Sequence, residues 1–243
     1  VSRWTHLPRL LLMPLAAAAA VSGTPTSPSG RPKVILLDVM DTLVVDPFFR
    51  GMHETVFGCE TLEDLFAQKD NSAFVDFELG RVSEAECFAR YFTDRRAVDV
   101  ARVRAHLRDS YAWVDGMETL CAQLCEAGVL LALCSNYPAP WADLVEETVG
   151  LTRFAPWTYV SGREGHRKPS PEAYRIALSR LTGDRRSGHQ WDLDAHDVIF
   201  VDDSQTNCEA ARAMGMDAIR FESADALRTA LRDRGIKLPD ADT

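Results

Sequence analysis

The sequence predicts an α/β fold, in which a doubly wound (Rossmann-like) parallel sheet forms the core and an all-helical cap is inserted after the first strand. Short apolar runs of strand length recur along the chain, and amphipathic segments with helical spacing lie between them. One long stretch, residues 46–114, contains helical patterns but no clear strand. We therefore expect residues 33–45 and 115–243 to form the core, and residues 46–114 to form the cap.

Five apolar runs are the candidate strands, at residues 34–37, 129–134, 158–160, 198–201 and 218–221. Continuous apolar runs, rather than alternating ones, are typical of strands that are buried on both faces of a parallel sheet. The sequence therefore predicts a sheet that is covered by helices on both sides.

The helices between these runs have recognisable starts and ends. Asp115 with Glu118 forms a capping pattern, Ser170 followed by Pro171 predicts a helix start, and Gly215 predicts the end of a helix that begins near Ser204. In the stretch 46–114, apolar residues at helical spacing predict three helices, and Ser83 with Glu86 predicts the start of the second.

Composition limits the classes of function. The net charge of −9 argues against a nucleic-acid-binding protein, which normally has a basic surface. The apolar run 10–21 is too short to cross a bilayer comfortably, so no membrane partner is expected. The six cysteines show no CxxC pair and no zinc-binding spacing, which favours buried free thiols.

The first 37 residues differ from the rest of the chain, because they contain four basic residues and no acidic residue. This composition, rich in Ala and Ser, is typical of an organelle transit peptide. The alternative is a secretory signal, with the run 10–21 as its apolar region. We expect residues 1–32 to be a targeting leader that ends in a disordered linker.

Polar residues stand at the ends of three candidate strands. Asp38 follows the first strand, Ser135 follows the second, and the pair Asp202–Asp203 follows the fourth, while Lys168 lies in a loop before a helix. Ligands of open parallel sheets bind at the carboxyl ends of the strands. A nucleophile, a hydroxyl, a lysine and an acidic pair at one edge predict metal-assisted phosphoryl transfer.

Four short segments carry a resemblance to a known family. They are VILLDVMDTL at 34–43, CSN at 134–136, RKP at 167–169 and FVDDSQTN at 200–207. Their order and spacing resemble the haloacid dehalogenase-like hydrolase superfamily. The wording DVMDTLVVDPFF from Asp38 onward, SNYP at 135–138 and GHRKP at 165–169 resembles the branch of plant chloroplast flavin-mononucleotide (FMN) hydrolases. That resemblance implies a chloroplast location and Mg²⁺-assisted hydrolysis of FMN to riboflavin and phosphate.

The resemblance also implies roles for single residues. Asp38 would be the nucleophile, forming an aspartyl-phosphate, and would also bind Mg²⁺. Asp203 would bind the metal directly, Asp202 directly or through water, and Met40 through its main-chain carbonyl. Ser135 and the backbone of Asn136 would hold the phosphate, and Lys168 would neutralise charge on Asp38 and on the phosphate.

Met40 departs from the family pattern, because most phosphatases of the superfamily carry an aspartate there as general acid and base. Asp41 is a candidate replacement, although in the family the side chain at this next position usually points away from the site. Two alternatives to a phosphatase follow: a metal-independent 2-haloacid dehalogenase-type hydrolase, which Met40 fits but the pair Asp202–Asp203 does not, and a non-catalytic member that binds a phosphorylated ligand. Phe48, Phe49, Tyr137 and Trp141 are candidates for stacking a flavin ring or for packing between cap and core.

Overall fold

The computed structural model describes residues 34–181 and 193–239. It contains a five-stranded sheet in the order β3-β2-β1-β4-β5, in which every neighbouring pair is parallel. The strands are β1 (Val34–Leu37), β2 (Leu130–Ser135), β3 (Trp157–Val160), β4 (Val198–Asp202) and β5 (Asp217–Arg220). All five predicted strands are confirmed, and so is the doubly wound α/β class. The predicted leader and linker lie outside the described residues.

The central strand β1 explains why the sheet needs helices on both faces. Its four residues are all buried, and they alternate between two hydrophobic clusters. Ile35 and Leu37 belong to one cluster, whereas Val34 and Leu36 belong to the other. Side chains of successive residues point to opposite faces of a sheet, so the unbroken apolar run supplies both faces of the core.

The stretch between β1 and β2 is helical, as expected. It begins with a 3₁₀ turn at Pro47–Phe49. Five α-helices follow: α1 (Met52–Thr55), α2 (Leu62–Gln68), α3 (Asn71–Glu78), α4 (Glu84–Ala89) and α5 (Val100–Ser110). The apolar spacing predicts three helices here and gives no signal for α1 and α3, because elements of one or two turns carry too few apolar positions to show a period. Since the larger hydrophobic cluster runs from this stretch into the sheet, the division into cap and core stays a prediction.

Among the described residues that follow, six α-helices are present: α6 (Met117–Glu126), α7 (Ala139–Val149), α8 (Ser161–Glu164), α9 (Pro171–Leu181), α10 (Gln205–Ala213) and α11 (Ala224–Asp233). The predicted cap at Ser83 is confirmed, because its side chain accepts a hydrogen bond from the Glu86 N–H. The helix expected to begin near Ser204 starts at Gln205, and Ser204 caps it by accepting from the Asn207 N–H. The predicted cap at Asp115 is wrong. Helix α6 begins after Gly116, whose φ of +74° turns the chain in a left-handed conformation and leaves no side chain at the capping position.

The free cysteines match the prediction, with five of the six buried and Cys125 half-buried. Within the ranges 34–181 and 193–239, no helix combines the length and the apolar character needed to cross a bilayer.

Candidate active site

The carboxyl ends of three adjacent strands bring the chemistry-bearing residues together. Asp38 directly follows β1, Ser135 ends β2 and Asp202 ends β4, and these strands are neighbours in the sheet. Because the strands are parallel, these residues share one edge, which is where ligands bind in this class of fold. Asp38 is fixed at that edge by its backbone N–H, which donates to the Val201 carbonyl over 2.8 Å.

Lys168 reaches this edge from the loop between α8 and α9. Its ammonium donates to Oδ1 of Asp38 over 2.6 Å, to Oδ2 of Asp202 over 2.7 Å and to the Cys134 carbonyl over 2.8 Å. The residue is only 2% exposed. Burial opposes the charge, but Asp202 and Asp38 together hold the pKa of Lys168 well above its usual value. Lys168 is therefore a fixed cation with all three donors used.

The side chain of Asn136 holds Lys168 in place. Its Nδ2 donates to the Lys168 carbonyl and its Oδ1 accepts from the Lys168 N–H, both over 2.8 Å. These two bonds tie the loop that carries the lysine to the end of β2. The side-chain amide therefore contacts the protein rather than a ligand. That the backbone of Asn136 holds phosphate stays a prediction.

Ser135 is the unpaired group of the site. Its Oγ is buried, and within the described part of the chain it has no hydrogen-bond partner. Buried hydroxyls are normally paired, since an unpaired one costs about 1–3 kcal/mol. A hydroxyl can donate one hydrogen bond and accept two, so Ser135 is equipped to donate to a ligand oxygen at the strand edge.

Three carboxylates form a candidate metal site. Oxygen atoms of Asp38, Asp202 and Asp203 all lie within 4.8 Å of one another. Asp202 is heavily engaged, because it accepts from Lys168, from the Ser204 N–H over 2.9 Å and from the Asn207 amide over 2.9 Å. Asp203 is only partly exposed, and among the described residues no other residue donates to its carboxylate, which leaves oxygens available for direct coordination.

The main chain of Met40 offers a further oxygen. Among the described residues no N–H donates to the Met40 carbonyl, although the Val39 carbonyl beside it accepts from Leu43 and Val44 over 2.9 Å each. Carboxylate and main-chain oxygens are the ligands that Mg²⁺ takes in proteins. The donor set predicted from the sequence, namely Asp38, Met40, Asp202 and Asp203, therefore fits Mg²⁺ in chemical type.

The electrostatics of the site also suit a cation. Burial raises the pKa of Asp38 to about 7, with Lys168 lowering it and Asp202 raising it. Burial and the nearby Asp202 likewise raise the pKa of Asp203. Three carboxylates face one ammonium, so the site carries excess negative charge that a divalent cation would offset.

A cavity of about 320 Å³ opens beside this edge. Met40 and Asn136 form the wall nearest to the strand ends. Aromatic rings, two cations and two acids form the other walls. The aromatic residues are Phe48, Phe49, Phe66, Phe74, Tyr137 and Trp141, the cations are Lys69 and Arg167, and the acids are Asp46 and Glu78. The cavity contains all four aromatic residues that the sequence suggested.

The aromatic residues differ in role. Tyr137 and Trp141 are buried, and their polar atoms bond to the Tyr111 hydroxyl over 2.8 Å and to Glu84 over 2.6 Å. These two therefore pack the wall. Phe49 and Phe66 are 47% and 42% exposed, so both keep surface that a ligand can contact, although the Lys69 ammonium lies 4.3 Å from the centroid of the Phe66 ring. Phe66 is not among the four aromatic candidates named from the sequence, because it lies within α2, where apolar spacing indicates only a helix.

Two supporting residues were also missed as such. Thr42 donates to Oδ2 of Asp38 over 3.3 Å and is buried, and Asn207 donates to both oxygens of Asp202. Both lie inside the segments that resemble the family, at 34–43 and 200–207. Their closeness in sequence to Asp38 and Asp202 could have identified them as supporting residues.

Comparison with known proteins adds independent evidence. The family model described as haloacid dehalogenase-like hydrolase matches residues 32–215. The chain is 32% identical to the chloroplastic flavin mononucleotide hydrolase 1 of Arabidopsis thaliana, over 89% of this chain and 83% of that protein. It is 25% identical to the sesquiterpene phosphatase astK of Aspergillus oryzae, over 72% and 84% of the two chains. A HAD family enzyme of Bacteroides thetaiotaomicron, solved as a magnesium complex, shares the fold with a TM-score of 0.61 at 19% identity, over 82% and 98%.

Proposed function

The chain belongs to the haloacid dehalogenase-like hydrolase family, and on that basis we propose that it is a Mg²⁺-dependent phosphatase that forms an aspartyl-phosphate on Asp38. One observation carries the proposal: Asp38 lies between a buried lysine at 2.6 Å and two further carboxylates within 4.8 Å. A buried carboxylate that is oriented in this way beside an unpaired hydroxyl is suited to attack phosphorus.

The chain's own residues account for the first half of the reaction. Lys168 and Thr42 each bind one oxygen of Asp38 and so fix the orientation of the carboxylate. Asp38 attacks phosphorus, and the bond between phosphorus and the leaving oxygen breaks. Ser135 donates to a phosphoryl oxygen, where negative charge accumulates. When bound at Asp38, Asp203 and the Met40 carbonyl, Mg²⁺ would offset the charge of the phosphate.

In the second half, water hydrolyses the aspartyl-phosphate and frees Asp38. Lys168 retains its bonds to Asp202 and the Cys134 carbonyl throughout, so its charge stays at the same place. A fixed cation costs no reorganisation while the charge moves, which is how a preorganised site lowers a barrier.

We propose FMN as the substrate. The relative from Arabidopsis thaliana is a flavin mononucleotide hydrolase, and the cavity beside Asp38 offers the exposed rings of Phe49 and Phe66. Flat aromatic groups stack on such rings with a gain of about 0.5–1.5 kcal/mol beyond burial. Arg167 and Lys69 add positive charge to the walls of the same cavity.

A phosphate-release screen tests the proposal. Wild type and Asp38→Asn are compared on FMN, nucleotides and sugar phosphates, with Mg²⁺ and with a chelator. We expect wild type to release phosphate from FMN only when Mg²⁺ is present. Asp38→Asn should release none above background. Chelator-resistant turnover of 2-haloacids would instead identify the dehalogenase-type hydrolase. Equal background release by both proteins from every phosphate ester would support the alternative of a non-catalytic protein that binds a phosphorylated ligand.

We also propose a plastid location, supported by the transit-peptide composition of residues 1–32 and by the chloroplastic relative. Fusing residues 1–35 to a fluorescent reporter tests this in plant cells. Fluorescence confined to chloroplasts is the expected result. Fluorescence in the secretory pathway would support the alternative signal.

A further inference from the structure

The proposed phosphatase reaction needs a proton for the leaving oxygen, and Met40, which is two residues after Asp38, cannot supply it. When the leaving group is an aliphatic alcohol, such as the ribityl oxygen of FMN, the departing oxygen must be protonated as its bond to phosphorus breaks. Proton transfer by a positioned side chain contributes roughly 10²- to 10⁴-fold to such a rate. The thioether of Met40 has no proton to give, so another group near Met40 has to be considered.

Three carboxylates adjoin Met40 in sequence or wall the cavity beside it, and two of them pair with an arginine. Asp41 accepts from the backbone N–H of Asp46 over 3.0 Å and pairs with Arg50 at 3.8 Å. It is also absent from the residues that wall the cavity. Glu78 is buried against Arg167, with 3.0 Å between the charged atoms. Each of these two carboxylates therefore pairs with an arginine, and burial raises the pKa of Glu78 while Arg167 lowers it.

Asp46 is the third carboxylate, and its geometry differs. It walls the same cavity as Met40 and Asn136. Its Oδ1 caps the 3₁₀ turn by accepting from the Phe48 N–H over 2.9 Å, and among the described residues nothing donates to its Oδ2. Asp46 forms no ion pair in the described part of the chain. One oxygen therefore anchors the side chain while the other is left for the cavity.

The charged and titratable groups around Asp46 act on its pKa in both directions, and burial of the carboxyl is the larger influence. Asp41 and Asp203 raise its pKa, and Arg50 lowers it. The hydroxyls of Tyr111 and Tyr137 lie close enough for Asp46 to raise their pKa values further. Lys69 walls the same cavity, and His106 approaches through a 3.2 Å contact with the Pro47 carbonyl.

Burial is the largest influence on Asp46, and it raises the pKa of this carboxyl to about 6 against the lowering effect of the Phe48 N–H. A catalytic acid or base works best when its pKa lies near the operating pH. Asp46 is thus able to hold a proton and to release it under ordinary conditions.

We propose that Asp46 is the proton donor and acceptor of this enzyme, in place of the residue at Met40. As Asp38 forms its bond to phosphorus, the electron pair of the breaking ester bond goes to the leaving oxygen, which takes the proton of Asp46. In the second half, water attacks phosphorus and gives one proton to the Asp46 carboxylate. The bond between Asp38 and phosphorus then breaks, which restores both side chains. This inference rests on the proposed phosphatase function.

The test exploits the leaving group. FMN releases a basic alkoxide, whereas 4-nitrophenyl phosphate releases an acidic phenol that needs no proton. For Asp46→Asn we expect kcat/KM to fall by roughly 10²- to 10⁴-fold on FMN and by less than about tenfold on 4-nitrophenyl phosphate. Asp46→Glu should recover part of the loss on FMN. Asn retains an oxygen that can cap Phe48, and Asp46→Ser, which also caps, gives a second variant with the same expected selectivity.

Asp109→Asn is the control, because it removes an exposed carboxylate on α5 that does not wall the cavity. It should change kcat/KM on the two substrates by the same factor. A fall of equal size on both substrates in Asp46→Asn, or no fall on either, overturns the inference while leaving the phosphatase in place. A wild-type protein that releases no phosphate from either substrate would remove the proposed function, and the role of Asp46 with it.

Discussion

At the residue scale, the site depends on one buried lysine that satisfies three acceptors. Lys168 joins the nucleophile candidate Asp38 to Asp202 and to the end of β2, and Asn136 fixes the backbone of the lysine. Breaking a buried ion pair by removing one partner costs about 3–5 kcal/mol, because the remaining charge is left buried and uncompensated.

We therefore expect Lys168→Met to lower the free energy of unfolding by about 3–5 kcal/mol and to abolish phosphate release. Urea unfolding followed by circular dichroism measures the first effect. Lys237 is exposed, and Lys237→Met is the control, with a change within about 0.5 kcal/mol. Equal stability of the two variants would contradict the assigned role of Lys168.

The sequence could predict that Asp38, Ser135, Lys168 and Asp202 would meet, because strand ends of a parallel sheet share an edge. It could not predict that the Ser135 hydroxyl has no partner or that the Asn136 amide turns to Lys168. Both depend on the path of a loop that arrives more than thirty residues later in the chain. The role of Asp46 was likewise hidden, since burial of its carboxyl is a tertiary property.

At the element scale, the end of α3 approaches α8 closely through two glycines. A Cβ on Gly80, just after α3, would lie 2.3 Å from the Gly162 carbonyl oxygen, and a Cβ on Gly162 would lie 2.4 Å from the Ala139 nitrogen. Ser161 strengthens this junction, because its Oγ donates to the Glu78 carbonyl and accepts from the Tyr137 N–H, each over 2.9 Å. The junction thus sets α3 against the loop that follows Asn136.

Two glycines with the same backbone conformation allow this junction to be tested. Gly80 and Gly58 have φ values of +68° and +67°, but nothing lies within 4 Å of a Cβ on Gly58. We expect Gly58→Ala to cost about 1–2 kcal/mol from left-handed strain alone. Gly80→Ala should cost about 1–3 kcal/mol more, because the neighbouring backbone must move. Chemical denaturation measures both, and equal losses would show that the close approach carries no energy.

Local signals predicted the elements best where nothing distant competes. The capping box at Ser83 and Glu86 is complete within four residues and was read correctly. The cap expected at Asp115 fails because the Val114 N–H is held by the Leu43 carbonyl over 2.8 Å, and the chain then turns at Gly116, packed against Ala224. A tertiary contact therefore sets the start of α6.

At the scale of the whole molecule, an acidic chain concentrates negative charge at one sheet edge. Asp38, Asp202 and Asp203 lie around Lys168 there, and burial raises the pKa of both Asp38 and Asp203. The fold holds these carboxylates together against their mutual electrostatic repulsion, and a bound cation offsets that repulsion. Binding to the folded state alone stabilises a protein by about 2.7 kcal/mol at a hundredfold excess over Kd.

We expect Mg²⁺ to raise the Tm of wild type and to have a much smaller effect on Asp203→Asn. In chelator, Asp203→Asn should melt above wild type, because one repelling charge is gone. Asp233→Asn is the control, since this exposed aspartate lies on α11. Differential scanning fluorimetry over a Mg²⁺ titration measures all three. An unchanged Mg²⁺ response in Asp203→Asn would exclude this residue as a ligand.

The order of the whole fold was the most predictable feature. Continuous apolar runs identify strands that are buried on both faces, and all five were found within one residue of their bounds. The cavity was less predictable, since its walls come from the turn after β1, from α2 and α3, and from the region around α7. No local pattern encodes how such distant segments meet.

The most direct measurement of the central claim is the chemical fate of Asp38 during turnover. Wild type is mixed with FMN and Mg²⁺, quenched in acid and digested, and the peptides are analysed by mass spectrometry. We expect one phosphoryl group on Asp38, and no such adduct when the metal is chelated or when Asp38→Asn is used. Steady phosphate release with Asp38 unmodified, continuing in Asp38→Asn, would contradict the account.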